Sequence, residues 1–416
     1  MPVTQDTPDY IQHPPHAYRI TSDEEAISIA HEIAAYLQPG AAERDLSGVV
    51  PPEVVDTFSN SGLWGITIPR EYGGAEVSAA TLAAVIAIIS AADPALGQIP
   101  QNHYCLLEDI RLQGSDEQRR FFFELALSGH RFANALSETG GKTVQDIQTR
   151  LTRTAEGLRI NGRKGYCTGS LYAHWLGVLA LDEEGRAQLA FVPRRAPGLT
   201  VVNDWACLGQ RTTSSGTVLV DNLPVEPFNL IASWKSYDTP TLAGPFAQLT
   251  TAAIDAGIAR AALNDTVSFV NQFARPWIDA GVERAGDDPL TIYQIGVLDS
   301  RIAAAEALLE QAGKVLDRYK HHLSERRWRW LRSPWRAPKS LPPKPRWRPL
   351  HGCLSWGERV QPIHATTSIA TGVMAACTRC TILCAGNTTC LATGFSTARL
   401  RRVTTGTRRD HARFSR

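Results

Sequence analysis

Two short polar runs, one histidine and one arginine offer the side chains that reactions need. Asn134-Ala135-Leu136-Ser137-Glu138 lies in an apolar, charge-poor stretch, and Tyr166-Cys167-Thr168-Gly169-Ser170 follows a basic turn at Arg163 and Lys164. Amides and hydroxyls in such runs either hold the polar edge of a ligand or cap a strand end, and the residues alone admit both readings. His103, in GQIPQNHY, is a lone imidazole among Pro, Gln and Asn. It is either a structural group or one that holds and delivers a proton near neutral pH. Arg275, just before Pro276 and Trp277, reads by itself as a helix-end cation. No GxGxxG or GxxxxGK[ST] run is present, and His31-Glu32 lacks the second histidine of a zinc protease. Cys377, Cys380, Cys384 and Cys390, with His364 nearby, have thiolate-ligand spacing. Their Thr-, Gly- and Ala-rich flanks show no periodicity that would fold around an ion, so no metal is expected.

The elements that must position these groups fall into three blocks. Ser22-Asp-Glu-Glu starts a helix with a capping hydroxyl and acids in the first turn. Residues Pro52 to Ser61, Ala79 to Ala92 and Asp116 to Ser128 are predicted as further helices, with IPREYGG (68–74) a turn-rich connection between them. From Phe132 the period changes. Val144–Thr154, Gly157–Asn161, Leu176–Leu181, Gln188–Pro193, Thr200–Val202 and Thr217–Asp221 are short β-branched runs, predicting an antiparallel barrel or sandwich of about 100 residues. Asn161-Gly162 reads as a hairpin turn. Helix returns at Phe246 to Ala274 and at Tyr293 to His322. The expected fold is α+β, divided as an all-helical domain (1–130), a β domain (131–240), a partial helical domain (241–324) and an aberrant basic tail (325–416), read as disordered.

Composition separates that tail from the rest. The 416 residues carry a net charge of +2, yet from Arg326 onward 18 Lys and Arg face only Glu358 and Asp410. The same stretch holds five of the eight cysteines and five of the ten tryptophans. Repeated prolines forbid a helix there and no alternation suggests a strand. Interleaved Arg and Trp suit nucleic-acid binding; a shifted reading frame yields the same composition with no physical purpose. Codons for 367–390 are compatible with a second frame reading LDRHWRNGRVHTLHDPVRWKYHL, a balanced, helical sequence, and the tail is therefore read as frameshifted. The longest apolar run, Ala79 to Ala92, falls short of the roughly 20 residues a membrane helix needs. The N-terminus, with Asp6 and Asp9, does not read as a signal peptide. Cys105, Cys167 and Cys207 suggest a reducing cytoplasm rather than disulfides.

The order helical, β, helical, together with SGLWGITIPREYGG (61–74), AADPALGQIPQNHY (91–104), FANALSE (132–138), RINGRKGYCTGS (159–170), APGLTVVNDWACLGQRTTSSG (196–216) and ARPWIDAGVERAGDDPLTI (274–292), resembles the acyl-CoA dehydrogenase superfamily. The last two motifs point to its reduced-flavin monooxygenase branch, the enzymes of dibenzothiophene oxidation and sulfur acquisition, across residues 22–322. The resemblance implies a flavin-dependent oxidoreductase that uses reduced FMN from a separate reductase, and O2, to oxygenate a small organosulfur compound. An FAD-dependent acyl-CoA dehydrogenase is the alternative, and a non-enzymatic binder acting through the basic tail a second. It implies that Asn134, Ala135, Leu136 and Ser137 bind the flavin's pyrimidine edge, and that Tyr166, Thr168 and Gly169 flank its reactive nitrogen, with Thr168 as a donor. His103 is expected to be catalytic together with Thr168, Arg275 to reach a flavin phosphate across a subunit boundary, and Trp205 and Arg211 to line the pocket. A homotetramer is implied, with no membrane or nucleic-acid partner. The branch's C-terminal TLHDP-type segment lies only in the second frame, so the chain as it stands is expected to turn over poorly. Sequencing the gene across codons 320–330 should find one base gained or lost; an intact frame there would make the tail a genuine part of the protein.

Overall fold

In the computed structural model, residues 8–11, 15–141, 143, 146–238 and 240–320 are described. The basic tail, with its shifted-frame reading and its cysteine run, lies outside them. Six helices come first: α1 (Asp23–Leu37), α2 (Ala41–Ser47), α3 (Pro52–Asn60), α4 (Ala79–Ala92), α5 (Pro94–Gln113) and α6 (Asp116–Leu127). Eight strands follow: β1 (Phe132–Ala135), β2 (Arg150–Thr154), β3 (Gly157–Lys164), β4 (Trp175–Leu181), β5 (Ala187–Pro193), β6 (Leu199–Val202), β7 (Thr217–Val225) and β8 (Leu230–Ile231). The short α7 (Lys235–Asp238) leads to two long helices, α8 (Ala243–Gln272) and α9 (Pro289–Tyr319).

The helix starts obey local chemistry. Ser22 Oγ accepts from Glu25 N at 3.2 Å, and Ser115 with Gln118 forms a reciprocal capping box at the head of α6. Asp93 and Asp288 cap α5 and α9, each followed by proline at the first helical position, where a missing N–H costs nothing.

Helix α4 is apolar almost all round and packs against α1, α5, α8 and α9, as a helix without a polar face must. Its neighbours come close because they present glycine. A Cβ on Gly257 of α8 would lie 2.3 Å from the Ala87 carbonyl oxygen, and one on Gly313 of α9 would lie 2.5 Å from Ala80 Cα. Any side chain at either position pushes a long helix off α4, and overpacking of this kind costs about 1–3 kcal/mol. At the N-terminus of α4, Asp317 of α9 accepts from Ala79 N at 2.7 Å, while Asp23 of α1 accepts from Ser78 N and Thr81 Oγ1. Both carboxylates sit at the positive end of the helix dipole.

The strands form one mixed sheet in the order β6-β7-β3-β2-β4-β5-β8, with β1 paired to β4. This corrects the antiparallel expectation at two places: β1 runs parallel to β4, and β2 touches β4 in parallel at Arg150 and Leu181. The chain reaches β1 directly from α6, so β1 enters the sheet in the same direction as β4 rather than by a hairpin. Asn161-Gly162 is not a turn either. Strand β3 runs straight through it with a register shift between Ile160 and Gly162, because a Cβ on Gly162 would meet Thr149 Oγ1 at 2.2 Å. The absent side chain serves close packing, and Asn161 Oδ1 accepts from Asn222 N on β7 at 2.7 Å.

Candidate active site

Strand β1 is buried along its whole length and fixed at both ends. At its start, the fully buried Arg131 donates to Tyr172 O at 2.7 Å, Asp56 Oδ1 at 2.7 Å and Ser59 Oγ at 2.9 Å. Beyond its end, Glu138 accepts from Lys164 Nζ of β3 at 2.7 Å, from Thr149 Oγ1 at 2.6 Å and from the backbone N–H groups of Gln148 and Thr149. Burial alone would raise the Glu138 carboxyl, but Lys164 and these donors outweigh it and hold it at about 2. Lys164 has no exposed surface, and it also donates to Leu136 O at 3.2 Å. The backbone of Leu136 and Ser137 is thereby clamped to the end of β3, and Gly165 N donates to Ser137 O at 2.9 Å.

Three segments meet beside that clamp: 134–137, 166–170 and 212–215. Cys167 N donates to Gly216 O, Gly169 N to Thr213 O at 2.8 Å, and Leu171 N to Ser214 Oγ at 3.0 Å. Tyr166, Gln210 and Ser214 all have φ near +50°. Such left-handed backbone in residues other than glycine is held only where surroundings over-determine it, and it clusters at functional sites. Gly169 (φ +79°) backs onto Ile99 of α5. The hydroxyls then form a buried run: Thr168 Oγ1 to Ser215 Oγ at 2.8 Å, Ser215 Oγ to Thr213 Oγ1 at 2.8 Å, and Thr213 Oγ1 to Gln210 O at 3.1 Å. The Trp205 indole donates to the same carbonyl at 3.0 Å, and its ring meets Tyr166 edge-on at 6.3 Å.

Asn134, Ala135, Leu136, Ser137, Tyr166, Thr168, Gly169 and Trp205 therefore share one corner of the sheet. Asn134 Oδ1 is buried there without a partner, while its amide reaches toward Tyr166 O at 3.5 Å. An orphaned acceptor of this kind calls for an N–H donor from a ligand, and the N–H-bearing polar edge of a flavin fits it. The 60% exposed Tyr166 ring and Trp205 offer an aromatic wall. Sequence reasoning missed Lys164, Thr149, Thr213 and Ser215. The hydroxyl-dense Thr212-Thr-Ser-Ser-Gly216 was the available signal, but only the fold shows which of its hydroxyls face Thr168.

His103, expected as a proton carrier, is held on both sides. It is fully buried between α5 and β1, its Nδ1 accepting from Phe132 N at 3.0 Å and its Nε2 donating to Trp64 O at 2.8 Å. Both ring nitrogens are used, and desolvation lowers the imidazole to about 3. A proton carrier needs a free lone pair near neutral pH; this ring instead joins α5 to β1. Arg211 is exposed, with its backbone N–H donating to Asp45 of α2. Arg275 is exposed on the α8–α9 connection among the exposed Phe273, Trp277 and Ile278, and no hydrogen bond ties it to the corner. A separate cleft of about 560 Å³ lies between α1, α2, α4, α8 and α9. Alanines, Ile88 and Ile258 line it together with His31, Arg260, Asp265 and Glu306, and none of the expected site residues does, although Gln210 is among its walls.

Three acyl-CoA dehydrogenase family descriptions match in succession: the N-terminal domain at residues 24–130, the middle domain at 133–223 and the C-terminal domain at 249–332. Dibenzothiophene monooxygenase of Rhodococcus erythropolis is 31% identical over 312 residues, covering 72% of this chain and 75% of that protein. The probable FMNH2-dependent monooxygenase SfnC of Pseudomonas putida is 28% identical, covering 70% and 74%. The crystal structure of FMN-bound TdsC from Paenibacillus sp. A11-2 superposes with a TM-score of 0.69 at 29% identity, covering 73% of this chain and 80% of that one.

The buried histidines make stability pH-dependent. His174, lowered by burial and by Arg131, titrates at about 2 and His103 at about 3. Above about pH 6.5 both are neutral in folded and unfolded chains and contribute nothing. Below it the unfolded chain binds protons that the folded one cannot, so each costs roughly 1.4 kcal/mol per pH unit until its folded pKa is reached. In urea unfolding between pH 6 and pH 4, His103→Gln should gain on the wild type by roughly 1.4 kcal/mol per pH unit, whatever Asp109 and Asp255, raised by burial to about 7 and about 6, contribute to both proteins; a difference that does not change with pH would refute the assignment.

Proposed function

This chain belongs to the acyl-CoA dehydrogenase family, and from that premise we propose that it is a flavin-dependent monooxygenase of sulfur acquisition. It takes reduced FMN, delivered by a separate reductase, and O2, and it oxygenates a small organosulfur compound in the cytoplasm. The observation that carries the reading is the sheet corner at Asn134, Thr168 and Tyr166, where a buried acceptor without a partner meets a hydroxyl and an aromatic wall. Reduced flavin, when bound, supplies the electrons that activate oxygen.

The protein's part is to hold and shield. Asn134 Oδ1 would accept a ring N–H, and the backbone of Ala135, Leu136 and Ser137, kept rigid by Glu138 and Lys164, would hold the polar edge. Tyr166 and Trp205 would close one side against water, which otherwise diverts reduced flavin and oxygen to peroxide. His103 carries no proton in this reading; its place is beneath the site. The proton-handling group would belong to the family's histidine-bearing C-terminal segment, which a shifted frame of this gene would supply.

Arg275 and the aromatic residues near it serve the site of a second copy. Phe273, Trp277, Ile278, Leu290 and Tyr293 are each more than 60% exposed within one short stretch, more contiguous apolar surface than a monomer usually shows to water. An oligomer, taken as a tetramer, covers this surface and brings Arg275 to a neighbour's flavin phosphate.

Two measurements test these statements. The chain with its frame restored after codon 324, given photoreduced FMN and oxygen, should convert a thioether such as dibenzothiophene to its sulfoxide by mass spectrometry. Retention of FAD with acyl-CoA-dependent dye reduction instead would make it a dehydrogenase. Trp277→Glu should lower the mass measured by light scattering and weaken FMN binding roughly tenfold, the scale of one lost charge-assisted contact; a monomeric wild type would rule out the shared site.

A further inference from the structure

We propose that the Thr168–Ser215–Thr213–Gln210 chain of hydrogen bonds runs in one direction only, and that it makes Thr168 an acceptor toward the cradle, selective for reduced over oxidised flavin. The inference rests on the flavin reading above and reverses the donor role that the sequence suggested for Thr168.

The direction follows from counting hydrogens. Three hydroxyls bring three hydrogens to three contacts: Thr168 with Ser215 at 2.8 Å, Ser215 with Thr213 at 2.8 Å, and Thr213 with the Gln210 carbonyl at 3.1 Å. All three residues are at most 6% exposed. The carbonyl oxygen can only accept. Thr213 must therefore spend its hydrogen on Gln210, Ser215 must spend its own on Thr213, and Thr168 must spend its own on Ser215. The opposite direction would leave the Thr213 oxygen facing the Gln210 oxygen with no hydrogen between them. Two buried acceptors in contact cost about 1–3 kcal/mol.

The terminus is well held. Trp205 Nε1 donates to Gln210 O at 3.0 Å and Thr213 N approaches it at 3.3 Å, and Gln210 and Ser214 sit in left-handed backbone that fixes the turn. At the other end, Gly169 N donates to Thr213 O at 2.8 Å, so the two loops cannot slide past one another. Among the described residues, no donor approaches Thr168 Oγ1 from the cradle side. What remains on Thr168 is lone-pair density.

The family resemblance sets the flavin's reactive nitrogen beside Thr168, and oxidised and reduced flavin differ there. The oxidised ring presents a bare lone pair there and the reduced ring an N–H. An acceptor hydroxyl attracts the second and repels the first. Selection of this kind suits a protein that must capture reduced flavin and release it oxidised, because product would otherwise compete for the site.

Anaerobic titration of the full chain with FMN and with photoreduced FMN tests the inference, with Thr213→Val and Ser215→Ala alongside. Each substitution frees Thr168 to donate. The wild type should bind reduced FMN more tightly than FMN. In both variants binding of oxidised FMN should tighten while binding of reduced FMN, for which Thr168 can still accept, should change little, so the ratio of Kd values should fall roughly 5- to 10-fold, the worth of one neutral hydrogen bond. Circular dichroism of the apo variants checks folding, and the two substitutions lie at different links of the chain. Damage to the fold alone would weaken both flavin forms together. That result, or equal affinities in the wild type, would overturn the hydroxyl chain and leave the flavin site standing. Failure of the wild type to bind either form would remove the flavin reading and the inference with it.

Discussion

Everything in this chain leans on one crowded helix. α4 has no polar face to offer solvent, so it is stable only when enclosed, and the helices enclosing it come from both ends of the sequence. The enclosure is tight because α8 and α9 bring glycine to the contact, and close contact between backbones allows dispersion forces to act without voids. Asp23 and Asp317 then tie α1 and α9 to the N-terminus of α4. The result is a single hydrophobic cluster in which residues near 30, 85, 255 and 310 touch. With that cluster set, α5 has one place to lie, and its far side meets the sheet.

That meeting explains why polar groups can be buried at the sheet corner. His103 couples α5 to β1 with both nitrogens engaged, Arg131 anchors the start of β1, and Glu138 with Lys164 anchors its exit. Each is costly to bury alone and tolerable when fully partnered. Among the described residues, Asn134 Oδ1 and Gln210 Oε1 are left buried without a partner at this corner. A site emerges as the remainder of a network otherwise satisfied from within. The same arrangement separates rigid support from ligand contact, so the side chains beneath the corner need no chemistry of their own.

The family relationship and this geometry speak to different matters. Relatives sharing 28–31% of their residues with this chain are monooxygenases by name, and the FMN-bound relative shares its fold. The geometry adds how this particular chain holds its hydroxyls, and why a neutral histidine near the site is a fastener. The exposed aromatic residues between α8 and α9 belong to the same picture, since one copy alone leaves them in water.

Local chemistry legible in the amino-acid order determined a good deal. Capping residues and apolar spacing placed α1, α3, α4, α6, α8 and α9 to within a few residues, because those signals act between neighbours in the chain. The polar runs at 134–138 and 166–170 and Trp205, expected as one site from the resemblance, lie together at one corner of the sheet, and the change in composition after Arg326 needed only counting. The Asn161-Gly162 turn failed because Gly162 answers to Thr149, and the all-antiparallel sheet failed because β1 arrives from α6 beside β4. His103 read as a proton carrier until burial showed both its nitrogens engaged. The direction of the hydroxyl chain likewise depends on a carbonyl at Gln210 standing behind Thr213 and on residues 47 positions apart standing 2.8 Å from each other. Tertiary structure alone decides such matters, because desolvation and hydrogen-bond direction are properties of what surrounds a group in space.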